Sequence, residues 1–127
     1  MSAPYEPLSP VDIERKLRAC VNDLARAERS LRVARDVETM AELDYRSVHR
    51  RAMLSPDAPR VTRGGTTTAE RDAWVDDRAS EEYRAYRLAQ TGREAAQDHL
   101  RTVRDVAATV QSLGALVRQA YAMAGAA

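Results

Sequence analysis

LSPDAPRVTRGGTTT, residues 54–68, is the stretch whose reading decides the fold. It gathers Pro56, Pro59, Gly64 and Gly65 with three consecutive threonines, whereas Val11 to Met53 and Ala69 to Ala127 contain no proline at all. Proline and glycine clustered between two uninterrupted stretches mark a turn between helices. Upstream, Ile13, Leu17, Cys20, Leu24, Ala27, Leu31, Ala34, Ala41, Tyr45, Val48 and Ala52 recur by alternating fours and threes, with Glu38 at one expected apolar position. Downstream, Val75, Ala79, Tyr86, Ala89, Ala96, Leu100, Val103, Ala107, Val110, Gly114, Val117 and Tyr121 do the same, with Glu82 and Arg93 as polar intruders. Both are heptad seams.

The ends of these stretches carry start signals. Ser9 suits an N-cap, Pro10 suits the first helical position, and Asp12 adds a carboxylate near the positive end of the helix dipole. Thr67 followed by Glu70 reads as a capping box. The sequence therefore predicts an all-α fold in which a flexible arm over 1–9 precedes one helical-hairpin domain over 10–127. Its parts are a helix over about 10–53, a basic turn over about 54–67 and a helix over about 68–123. A coiled-coil-like antiparallel pair follows, its first helix roughly 60 Å long at 1.5 Å per residue. Gly92, beside Thr91, is expected to weaken or bend the second helix.

Composition agrees with a seam rather than a deep core. Of the residues counted as hydrophobic, 44% of the 127, many are alanine, and phenylalanine is absent. Charged residues make up 31%. Apolar side chains also flank the seams, Val33, Val37 and Met40 on the first helix and Val106, Leu113, Leu116 and Ala120 on the second, beside the seam residues Val110 and Val117. Surface of that extent usually marks an interface, so a homo-oligomer is expected to bury these residues.

The net charge of +1 names no partner by itself. Locally the charge is segregated. Arg46, Arg50, Arg51, Arg60 and Arg63 stand with one acid, Asp57, whereas Glu70, Asp72, Asp76, Asp77, Glu81 and Glu82 face only Arg71 and Arg78 between 70 and 82. Two readings are open. The acidic start of the second helix pairs with the basic end of the first, or the arginines and the Gly64-Gly65 pair form a flexible basic loop that approaches phosphates. Repetition in an oligomer would multiply such a weak contact. Tyr45 and Trp74 lie on or beside the seam, where core packing is the expected role rather than base stacking.

Little chemistry is visible. The sequence has no phosphate-cradling glycine loop and no nucleophile with a histidine relay. Cys20 is the one cysteine and lies on the seam, and His49 and His99 add no metal constellation. The expectation is a chain without enzymatic activity, cofactor or metal. With no apolar run long enough for a bilayer and no secretion signal in Met1 to Pro10, a cytoplasmic protein is expected.

Three features carry a resemblance: Thr66-Thr67-Thr68-Ala69-Glu70-Arg71 after a basic glycine-containing turn, the charged alanine-rich middle, and Gln111-Ser112-Leu113. Over about Val11 to Tyr121 the chain resembles the small helical-hairpin recombination mediators of tailed bacteriophages, the UvsY-like family. It differs in using arginine where lysine is frequent and in a longer, proline-containing turn. The resemblance implies a homo-oligomer in the host cytoplasm. It would hold single-stranded DNA non-specifically and help a RecA-like recombinase displace single-strand-binding protein. The family's basic patch would fall on Arg46, Arg50 and Arg51, with Arg60 and Arg63 adjoining. The alternative is a structural, scaffolding or inhibitor protein acting through protein contacts.

Overall fold

The computed structural model describes residues 8–125 and contains three α-helices: α1, Pro10–Met53; α2, Thr68–Arg78; and α3, Ser80–Gly125. No strand occurs among the described residues. The arm expected over 1–9 lies outside the described residues except for Leu8 and Ser9. Ser9 and Asp12 cap α1 reciprocally: the Ser9 backbone N–H and hydroxyl both donate to Asp12 Oδ2, at 3.0 and 2.8 Å, and the Asp12 N–H donates back to Ser9 Oγ at 3.2 Å. Two otherwise orphaned groups at the helix start are thereby satisfied.

The helix expected over 68–123 is interrupted once, at Ala79 and not at Gly92. Gly92 sits within α3, which runs unbroken across it, with open space where a Cβ would project. Ala79, by contrast, is 0% exposed and has φ −104° and ψ 13°. Its N–H still donates to Val75 O (3.2 Å) and its carbonyl accepts from Tyr83 N–H (2.9 Å). The hydrogen-bond ladder thus passes through the irregularity. Only a methyl side chain can sit in so closed a position without pushing its neighbours apart.

The chain forms two compact units. The first joins α1 up to Leu31 with α3 from Ala96 onward. Its segments run antiparallel, with Ile13 facing Gly114 and Ala27 and Leu31 packing on Leu100. Leu24, Ala96 and Val103 close around that cluster. Cys20 and Val110 are also buried. The Gly114 position has a structural cause: a Cβ there would lie 3.0 Å from Ile13 Cγ2, so glycine permits the close approach.

The second unit, Arg32–Ala95, holds the rest of α1, the turn, α2 and the start of α3. Ala52, Val75 and Ala79 are its buried apolar residues. Its α1 segment also runs antiparallel to its partner, since Glu38 meets Arg93 while Tyr45 meets Tyr86 and Tyr83. Glu38 and Arg93 were the polar intruders of opposite seams, and the fold brings them together: Arg93 Nε donates to Glu38 Oε2 at 2.6 Å. That bond is the main cause of an Arg93 pKa raised above the ordinary arginine value. A polar pair inside an otherwise repetitive seam sets register, because sliding one helix would bury each charge against apolar neighbours.

Candidate nucleic-acid interface

The second unit carries the basic residues singled out from the sequence. Arg50 and Arg51 occupy the last turn of α1, where cations complement the negative end of the helix dipole. From α2, Arg71 donates to Met53 O at 3.2 Å and satisfies a carbonyl that the helix end leaves open. Residues 54–67 then leave the helix through short hydrogen-bonded steps: Leu54 N–H to Arg50 O, Ser55 N–H to Ala52 O, and Ala58 N–H to Ser55 O. The Asp57 N–H adds a bond to Ser55 Oγ.

The glycine pair, expected to lie in a flexible basic loop, takes part in a hydrogen-bonded turn. Gly65 N–H donates to Thr62 O and Thr62 N–H donates to Thr66 O, both at 3.2 Å. Between them Gly64 takes φ +80°. A turn whose third residue has positive φ is type II, and glycine is the residue that adopts it without strain. Arg63 consequently stands at the second position of a closed turn. The chain then enters α2 at Thr67, whose hydroxyl accepts from Glu70 N–H at 3.2 Å; this is the hydroxyl half of the expected capping box.

Arg46, Arg50, Arg51, Arg60 and Arg63 are all exposed. Arg46 is tied to Glu42 one turn earlier on its own helix, at 2.6 Å. The other four have no carboxylate within 4.0 Å among the described residues. Pairing of the basic end of α1 with the acidic start of α2 is limited to one long contact, His49 Nε2 to Asp76 Oδ1 at 3.9 Å. The opposite charges of these two segments therefore form no arginine–carboxylate pair with each other.

Beside the arginines lies an aromatic cluster. Tyr45 is centred 5.3 Å from Tyr83, 5.7 Å from His49 and 6.1 Å from Tyr86, the last nearly parallel at 17°. Tyr45 and Tyr86 are half-buried, whereas Tyr83 is 48% exposed. Tyr45 also lines a shallow groove along α1 with Arg46, His49, Arg50 and Met53. Trp74 is half-buried, its ring covered by the Arg78 guanidinium at 4.5 Å. Sequence reasoning favoured packing over base stacking for Tyr45. The signal it missed is that Tyr45 and Arg46 recur one turn later as His49 and Arg50, which puts rings and cations on one face.

The expected interface residues divide. Val33, Val37 and Met40 in the second unit and Val106, Leu113 and Leu116 in the first are exposed, with Leu116 62% open. Val110 is buried and Val117 half-buried, so these two belong to the seam of the first unit and offer little to an outside surface. Leu43, Leu88 and Met123 are exposed apolar residues that the heptad flanks did not single out. Val37, Met40, Ala41 and Ala85 line a shallow apolar groove rimmed by Asp36, Asp44 and Glu82. No group of three or more metal-ligating side chains occurs among the described residues, and no described helix is long and apolar enough to cross a membrane. In comparisons with known proteins, the chain matches no family profile, no curated protein and no solved structure.

Proposed function

We propose that this chain is an oligomerising accessory protein that holds single-stranded DNA through phosphate contacts and assists a RecA-like recombinase in recombination. One observation carries the DNA reading: Arg50 and Arg51 in the last turn of α1, and Arg60 and Arg63 in the turn that follows, are exposed and have no carboxylate partner among the described residues. Exposed ion pairs contribute only about 0–1 kcal/mol, but unpaired arginines need not give up even that on meeting a phosphate. The groups contact backbone charge and carry no base code, so binding is non-specific in sequence. Self-association is supported by the open apolar side chains Val33, Val37, Met40, Val106, Leu113 and Leu116. The recombinase and single-strand-binding protein enter through the resemblance alone.

The test is oligonucleotide affinity against salt. For single strands the log–log slope is about −0.7 per phosphate neutralised, so replacing Arg50, Arg51, Arg60 and Arg63 by alanine flattens it by as much as about 3. Particle mass and helix content stay as they were. Unchanged affinity in the correctly assembled variant would remove these arginines from the interface. A second reading, a scaffolding or inhibitor protein, is favoured by the apolar residues of the first unit, Val106, Leu113 and Leu116. It predicts self-association or capture of a protein, with no salt-sensitive affinity for DNA.

A further inference from the structure

Building on the proposed phosphate contacts, we infer that the Tyr45–Tyr83 cluster is a nucleobase-stacking subsite serving the same strand as the arginines. The chain has few aromatic residues, five tyrosines and one tryptophan with no phenylalanine. Half of these six gather at one place, as Tyr45, Tyr83 and Tyr86, with His49 against them. Elsewhere the buried seam is filled by Ile, Leu, Val, Ala and Cys, so packing two helices does not by itself call for rings.

The cluster has the parts that stacking needs. Tyr86 lies nearly parallel behind Tyr45 and holds its plane, while the tilted Tyr83 ring, 57° from it, keeps almost half of its surface open. A base laid on Tyr83 keeps the strand near Tyr45. Along α1 from Tyr45, the groove continues past His49 and Arg50 to Met53, whose polarizable thioether suits contact with a flat ring. Arg50, without a carboxylate partner among the described residues, is placed for the neighbouring phosphate. Tyr45 and Tyr83 also share a recess with Ser80 and Asp76, which can accept hydrogen bonds from a base's ring N–H or exocyclic amino group. Every base has a π-face, so such a platform is tolerant of sequence yet distinguishes a strand with bases from a bare phosphate chain.

The experiment compares an oligothymidylate with an abasic oligonucleotide of equal phosphate number, using the full-length chain at low salt. The expected result is a preference of about tenfold for the base-bearing strand. Tyr83→Leu, at an exposed position, removes that preference while affinity for the abasic strand and its salt slope persist; Tyr45→Leu does the same. Equal, salt-sensitive affinities for both strands in the parent protein overturn the stacking subsite and leave the arginine reading standing. A preference that survives both tyrosine variants also overturns it. If neither strand binds in a salt-sensitive way, the arginine reading falls and the stacking subsite falls with it.

Discussion

Asp12 and the Glu38–Arg93 pair show how much single polar groups decide in a chain whose apolar pattern is repetitive. Asp12 has its pKa held below the ordinary aspartate value, first by the Ser9 backbone N–H and then by the Ser9 hydroxyl. An acid depressed on folding contributes stability that is complete above its unfolded value near 3.9 and is lost as pH falls through the lower folded value. Asp12→Asn is therefore expected to melt earlier than the parent at neutral pH, with the gap closing below about pH 4. Thermal unfolding at both pH values checks this. For Glu38 and Arg93, either alanine variant lowers the melting midpoint by leaving the partner's charge in a half-buried site. The exchanged pair Glu38→Arg with Arg93→Glu recovers most of the loss, whereas a pair that acted only as surface decoration would show no coupling in the double-mutant cycle.

At the scale of elements, the two internal glycines of α3 make different predictions from the same residue type. Gly92 has open space around its missing Cβ, so Gly92→Ala gains helix propensity with nothing to displace and raises the unfolding free energy by about 0.5–1 kcal/mol. Gly114→Ala gains the same propensity but drives a Cβ to 3.0 Å from Ile13 Cγ2, so its net effect falls below that of Gly92→Ala. Urea unfolding of the two variants side by side measures the difference. At the break between α2 and α3 a small side chain, Ala79, likewise fills a fully buried position. Periodicity places both Ala79 and Gly114 on the seam without setting them apart, because alanine recurs through both seams.

For the whole molecule the deciding quantity is how little the helices bury. Among the described residues no large side chain is fully buried, while Val37, Met40, Leu113 and Leu116 stay exposed. Two helices in contact enclose a line and not a volume, so apolar groups off that line need another surface. In the proposed oligomer, Val37→Glu with Met40→Glu adds charge to a groove already rimmed by Asp36, Asp44 and Glu82. Sedimentation should show a smaller particle of unchanged helicity. A particle of unchanged mass would shift the interface to Val106, Leu113 and Leu116.

Much of this was legible from residue order. The seams, the turn at 54–67 and both helix starts follow from proline placement, capping residues and a repeat of four and three, all of which act over a few neighbours. The charge segregation was legible too, but its consequence was not. Whether Arg50, Arg51, Arg60 and Arg63 meet the acids of α2 depends on side-chain reach across separate elements, and they do not. Likewise Glu38 with Arg93, and Tyr45 with Tyr83 and Tyr86, are far apart along the chain. The sequence by itself determined which stretches form helices, apart from the break at Ala79, because helix formation is local. Tertiary structure alone decided which exceptions to the pattern meet, because that is fixed by the register of one seam against the other.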